Sequence, residues 1–174
     1  MAIRNTAFPL CVLTAGFALG LLLGCNGPDS SGTVNDVSFA ISDAPVGELD
    51  SVTITIEAMT LNREGDDTII DTFDTDEGEV DRVTLDLLDY QGSDSKLIVD
   101  SFELEVGSYQ NIRLEIDDDS TDDSYVLEAG DSERHELKVP SNKLKLGGFE
   151  VESDGPQTFI IEFDLTRAMT HNPG

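Results

Sequence analysis

The sequence contains no tryptophan, and its 174 residues include only three tyrosines and two histidines. A sugar-binding platform would therefore depend on tyrosine rings, and the strand pattern leaves Tyr90 as the one ring expected in a loop. His135 at a strand start and His171 near the C-terminus are each more typical of packed or solvated histidines than of catalytic ones. No nucleophilic-serine elbow, zinc-binding HExxH or phosphate-binding glycine loop occurs, so enzyme activity is not expected.

Cations and acids are also scarce at the N-terminus. Residues 1–24 carry one cation, Arg4, no acid, and an apolar run over residues 7–23. A charged start followed by an apolar core is the pattern of a secretory signal peptide. The run is interrupted by proline and glycines and is short for a membrane-spanning helix, which needs about 20 apolar residues. We predict that residues 1–24 are a cleaved signal peptide.

The apolar run ends in LLGC at residues 22–25 and is followed at once by a polar stretch, which resembles the lipobox of bacterial lipoproteins. That resemblance implies that Cys25 is acylated and becomes the new N-terminus. Cys11 would leave with the signal peptide, so no thiol would remain for a disulfide or a zinc site. Asn26 after the cysteine favours the outer membrane if the host is Gram-negative. An uncleaved membrane anchor is the alternative.

The chain carries 36 acids and 10 cations, for a net charge of −26. Removing residues 1–24 takes away Arg4 and no acid, so the net charge becomes −27. Such a charge repels phosphate backbones and excludes nucleic acid as a partner. Acid excess with only four lysines suits a protein in high salt, and ordinary solubility of an exported protein explains it equally well.

Residues 25–35 are rich in Gly, Ser, Asn, Asp and Pro, which predicts a flexible linker between the lipid and a domain at residues 36–174. Within that domain apolar and polar residues alternate, which is the period of strands with one face on a core. The predicted strands are 37–41, 52–56, 83–87, 102–106, 112–116, 137–139 and 159–165, with shorter ones at 68–73 and 124–128. We therefore predict an all-β antiparallel two-sheet sandwich of about seven to nine strands.

Several stretches together resemble a family known only as domain of unknown function 4382. They are SDAP at residues 42–45 with the following LDSVTITIEAMTL, DLLDYQGSDSKLIVD at 86–100, LEVGSYQNIRLEID at 104–117, and KVPSNKLKLGGFEV at 138–151. The resemblance implies an exported lipoprotein of bacteria or haloarchaea with an immunoglobulin-like or prealbumin-like sandwich. The family pattern continues beyond His171-Asn-Pro-Gly174, so we expect a C-terminal edge strand to be missing. It implies no activity.

Three motif positions have structural interpretations of their own. Gly107-Ser108 is a turn before Tyr109, whose ring we expect to be buried and whose hydroxyl we expect to bond nearby backbone. Gly147-Gly148 indicates a bulge or a corner, and Asp43 can accept backbone N–H bonds that fix the next loop.

An acidic run at residues 117–123, DDDSTDD, lies between two predicted strands and holds five carboxylates. We interpret it as a solvated loop. A calcium site is the alternative, with Asp117, Asp119, Asp122 and Asp123 as its candidate ligands, although the spacing fits no known calcium loop. No other cofactor is expected.

The resulting prediction is a lipoprotein of the cell envelope, facing outward or the periplasm, whose domain is a non-catalytic binding or assembly module. Its partners would be the membrane, through the lipid, and an unidentified protein or glycan. The alternative is a small extracytoplasmic hydrolase that uses paired carboxylates, because so many acids make such pairs readily available.

Overall fold

The computed structural model describes residues 33–43 and 49–163, and the backbone of residues 2–6. The described part contains no α-helix, only two 3-10 turns at Leu87–Tyr90 and Pro140–Asn142. Among these residues no helix is long and apolar enough to cross a bilayer. The strands are β1 (Ala2–Thr6), β2 (Val34–Asp43), β3 (Leu49–Arg63), β4 (Asp66–Ile70), β5 (Phe73–Thr75), β6 (Gly78–Val80), β7 (Val83–Asp86), β8 (Lys96–Glu105), β9 (Gly107–Tyr109), β10 (Asn111–Ile116), β11 (Tyr125–Glu128), β12 (His135–Glu136), β13 (Lys143–Lys145), β14 (Phe149–Val151) and β15 (Gln157–Phe163).

Two sheets form an all-β sandwich, which confirms the predicted fold class. The smaller sheet has the order β1-β15-β2-β8, and the larger has the order β12-β11-β3-β10-β13 with β4 and β7 also paired to β3. Two separate two-stranded sheets complete the described strands: the β5–β6 hairpin, and the pair of β9 with β14, which lie far apart in the sequence. Almost all pairs are antiparallel, but β15 runs parallel to β2. Alternation reports which face of a strand is buried and carries no information on its direction.

The core lies between the two sheets and is built by the alternation that predicted the strands. Phe39 on β2 and Phe159 on β15 face Val52, Ile54 and Ile56 on β3, and all of them belong to one buried cluster. At one end the rings of Phe39, Phe149, Phe159 and Tyr109 pack with centroids 4.7–5.8 Å apart. Because the described chain has no disulfide, this apolar core is the main source of its stability.

β3 is the central strand of the larger sheet and spans fifteen residues. Its pairing with β10 shifts register between Glu115 and Ile116, so Glu57 is an extra residue that bulges out of the ladder. An extra residue reverses which positions face inward. Ile56 before the bulge and Met59 after it are therefore both buried, although they are three residues apart.

Three predictions about elements were wrong in detail. Residues 68–73 were predicted as one strand, but the structure divides them between β4 and β5, with residues 71–72 outside both. The structure has fifteen strands, counting those within its described residues, and not seven to nine, because pieces of two to four residues are too short to show alternation. Residues 137–139 were predicted as a strand, whereas the strand is His135–Glu136. Val139 leaves the ladder because its N–H donates to the Asp118 carboxylate at 2.8 Å.

Strand β2 begins at Val34, inside the segment 25–35 that was predicted as a linker. Asn35 was assigned to the linker, but its side-chain amide donates to the carbonyl oxygen of Glu152 at 2.7 Å. The predicted signal peptide after residue 6, the lipobox with Cys25, His171 and the predicted truncation at the C-terminus lie outside the described residues. These remain predictions.

Candidate functional site

One edge of the smaller sheet is formed by β1, which pairs antiparallel with β15 from Ala2 opposite Glu162 to Thr6 opposite Thr158. β15 itself is anchored in the core, because Phe159 and Ile161 are 2% and 0% exposed. The strand that covers β15 therefore comes from the segment predicted to be removed as a signal peptide. Removal would leave β15 as the edge of the sheet.

The opposite edge of the same sheet, at β8, is protected. The N–H of Asp100 donates to the Asp74 carboxylate at 2.7 Å, and Lys96 donates to Asp76 at 2.8 Å, so the β5–β6 hairpin covers part of it. The β2–β8 register also shifts twice, and Ser101 has a positive φ of 51°. Bulges and charges of this kind prevent another strand from pairing.

Lys96 and Asp76 also affect each other's protonation. The hydrogen bond from Lys96 lowers the pKa of Asp76, and the same bond raises the pKa of Lys96. Backbone N–H groups of Glu133 and Ser132 similarly lower the pKa of Asp131, which also lies 3.5 Å from His135. His135 is exposed on β12, so the expectation that it is a solvated histidine is consistent with its position.

The acidic run at residues 117–123 connects β10 to β11, as predicted, but its carboxylates are held by arginines. Arg82 lies 3.0 Å from Asp117 and 3.5 Å from Asp123, and Arg134 lies 3.5 Å from Asp122. The fourth calcium candidate, Asp119, donates its own N–H to Asp117 at 3.4 Å. Over the part of the chain that the structure describes, no three His, Cys, Asp or Glu side chains are placed to hold a metal ion.

Two members of the same loop, Asp118 and Ser124, have structural roles that the sequence does not predict. Asp118 is only 6% exposed and its carboxylate accepts the N–H of Val139. Ser124 is fully buried, and its hydroxyl accepts the N–H of Thr55 at 3.0 Å in the middle of β3. A buried carboxylate bonded to backbone fixes a loop, so the run is partly structural and not merely solvated. The pattern DDDSTDD gives no signal of which acid turns inward.

A sugar-binding platform needs exposed aromatic rings, and none of the three tyrosines is fully exposed. Tyr109 is buried, while Tyr90 and Tyr125 are half-buried. On the outer face of the larger sheet, the guanidinium of Arg134 lies 4.2 Å from the centroid of the Tyr125 ring. Side-chain hydrogen bonds from Thr53 and Ser51 lower the pKa of Tyr125. Its ring therefore already has a cationic neighbour, and a glycan partner would have to compete with it.

A shallow depression of about 510 Å³ is lined by Glu57, Glu79, Val80, Asp81 and Arg82. It forms where the β3 bulge meets β6 and the turn before β7. Glu57, the bulged residue, is exposed and lines the same hollow as Glu79 and Asp81. Carboxylates that share a hollow are what the hydrolase alternative requires.

Comparison with known proteins identifies the family. The family model described as a domain of unknown function, DUF4382, matches residues 34–174. The chain belongs to the DUF4382 family. No curated protein and no solved structure matches it. The DUF4382 match begins at the first residue of β2, so residues 1–33, including β1 and Cys25, precede the family domain.

Proposed function

We propose that this DUF4382 protein is an exported lipoprotein, anchored in the cell envelope through lipid on Cys25, whose sandwich is a non-catalytic binding or assembly module. The observation that carries the proposal is the apolar run over residues 7–23, which Cys25 follows after one glycine. Cys25 in turn lies shortly before β2, which begins at Val34. Each buried methylene contributes about 0.8 kcal/mol, so more than one acyl chain gives a stable anchor.

The binding role is supported by the organisation of the smaller sheet. One of its edges is protected by bulges and by the β5–β6 hairpin, whereas among the described residues the other is covered by residues 2–6. A module that loses this strand on export would present backbone donors and acceptors to a partner. The partner class that follows is a protein of the envelope. A glycan partner has less support, because Tyr90 and Tyr125 are both half-buried.

The anchor is tested by metabolic labelling with palmitate. Cys25→Ala should carry no label and should not be processed, whereas Cys11→Ala should be labelled and processed like the natural sequence. Label that persists in Cys25→Ala would exclude the lipobox interpretation. The Cys11 variant controls for any general effect of removing a thiol from the apolar run.

The hydrolase alternative is supported by the depression at Glu57, Glu79 and Asp81. A panel of chromogenic glycosides and esters tests it directly. Turnover that disappears in Glu79→Gln but persists in Glu133→Gln, a control acid far along the chain, would favour the hydrolase over the binding module.

A further inference from the structure

The β15 edge differs from every other sheet edge that the described residues form. The larger sheet has four short edge strands. β12 has two residues, β13 has three and carries Lys143 and Lys145, and β4 and β7, which pair only with β3, have five and four. Short strands and lysines discourage pairing with another chain. β15 has seven residues, an uninterrupted register with β2, no proline and no lysine.

The inner side of β15 makes the edge rigid enough to act as a template. Gln157, Phe159, Ile161 and Phe163 are all buried between the sheets. Their side chains hold the strand extended whether or not a neighbour is present. Loss of β1 would therefore expose a preformed row of backbone N–H and C=O groups, with little entropy left to lose on pairing.

The strand that occupies this edge has a defined chemistry. Residues 2–6 read AIRNT, contain no acid, and run antiparallel to β15 with Arg4 at the register position opposite Ile160. A second copy of the chain is electrostatically a poor substitute, because it would bring a mature net charge of −27 against an equal charge. A short acid-free segment with a cation suits the edge better.

We propose that, after residues 1–24 are removed, the β15 edge binds an extended, acid-free and cationic segment of a partner protein by antiparallel strand addition. This inference rests on the proposed function, since it requires that the leader is cleaved. Residues 2–6 would then cover the edge only in the precursor, which would prevent premature pairing before export.

The probe is a labelled peptide with the sequence of residues 2–7, AIRNTA, added to the mature lipoprotein purified in detergent. Two further peptides carry backbone N-methyl groups, one at residues 3 and 5 and the other at residues 4 and 6. In an antiparallel pair alternate N–H groups point toward the neighbour. One N-methylated peptide should therefore bind at least about tenfold more weakly, while the other binds like the parent.

An Arg4→Glu peptide should also bind more weakly, and the difference should shrink with added salt. Equal binding of both N-methylated peptides would indicate nonspecific apolar contact and would overturn the proposal. The absence of AIRNTA binding would also overturn the proposal. A mature protein that sediments as a dimer and stays dimeric with excess peptide would do the same, because a second copy would then occupy the edge.

A second experiment separates a failure of strand addition from a failure of the lipoprotein assignment. If the purified protein retains residues 1–24, the lipoprotein assignment fails, and the edge is tested in full-length Ile3→Pro/Arg4→Pro. One of two adjacent N–H groups in β1 points toward β15, and a proline at both positions removes it in either case. β1 therefore cannot pair normally in that variant. Binding of AIRNTA there, and not to the unmodified full chain, would support the edge as an acceptor even without export.

Discussion

Among single residues, Gly148 lies in a tightly packed corner around Tyr109. A Cβ atom on Gly148 would lie 2.4 Å from the carbonyl oxygen of Tyr109 and 2.9 Å from that of Gln110. No side chain fits there, because real Cβ contacts are not that short. Gly148 thus allows the chain to pass from β13 to β14 close against Tyr109. A Cβ atom on the neighbouring Gly147 would have no other atom within 4 Å.

This difference gives a matched pair of variants. Gly148→Ala should destabilise the domain by about 1–3 kcal/mol, because the added methyl forces two backbone segments apart. Gly147→Ala should change stability by less than about 0.5 kcal/mol. Urea unfolding of both variants measures the effect. Equal destabilisation would mean that the glycines matter for backbone freedom and not for close approach.

The prediction for Tyr109 is confirmed: the residue is 4% exposed and its hydroxyl donates to the carbonyl oxygen of Glu105 at 3.1 Å. Burial raises the pKa of Tyr109. A raised folded-state pKa contributes stability that is present below the unfolded pKa of about 10 and is lost as pH rises through the folded value.

Tyr109→Phe should therefore cost about 1 kcal/mol at about pH 8 through the lost hydrogen bond. The difference between the natural protein and the variant should shrink at about pH 11, because only the natural protein must ionise a buried phenol. Unfolding curves at both pH values measure it. A difference that stays constant or grows with pH would contradict the assigned burial.

At the scale of elements, the sequence predicted strands best where alternation is long and regular. Residues 52–56 and 112–116 lie within β3 and β10, and in each the alternating apolar side chains belong to the core. On β3 the intervening Thr53 and Thr55 are buried as well. Alternation could not reveal that β3 continues through a bulge at Glu57, which reverses the pattern. It also could not reveal β1, because residues 2–6 carry the signal-peptide pattern and pair with a strand far away in the sequence.

The candidate sites were predicted only in part, for a related reason. The acidic loop was correctly placed between two strands, but its arginine partners come from elsewhere in the chain: Arg82 precedes β7, and Arg134 precedes β12. Such contacts depend on the three-dimensional arrangement of the loops. Asp118 points inward for the same reason, since its partner Val139 is 21 residues away.

The loop's arginine pairs bear on the calcium alternative. With Asp117 and Asp123 on Arg82, and Asp122 on Arg134, we expect Ca²⁺, Mg²⁺ and Na⁺ at matched ionic strength to raise the melting temperature equally. A specific site would add about 2.7 kcal/mol at a hundredfold excess of ion over its Kd. Stabilisation by Ca²⁺ alone, lost in Asp119→Asn/Asp122→Asn, would establish the site instead.

At the scale of the whole molecule, the dominant property is the net charge of −26. The described ion pairs involve few of the 36 acids, so most of the repulsion between carboxylates is relieved only by screening. Self-repulsion destabilises a compact state. The two explanations of the acid excess, a saline habitat and ordinary solubility, both predict that the protein is destabilised in dilute buffer.

The melting temperature should rise steeply between about 10 and 150 mM salt, because the Debye length falls from roughly 30 to 8 Å over that range. Thermal unfolding in a salt series measures it, with sucrose at matched osmolality as the control for preferential exclusion. A flat response to salt would show that the carboxylates are too dispersed to affect stability.

Export as a lipoprotein would replace residues 1–24 by lipid on Cys25 and would make β15 a sheet edge. Intact mass spectrometry of the protein extracted from the membranes of the cells that make it tests this most directly. We expect a chain that begins at Cys25 and carries the added mass of its lipid. A mass equal to the unmodified chain from residue 1 or 2 to residue 174 would contradict it, because β1 would then be a permanent strand of the sandwich.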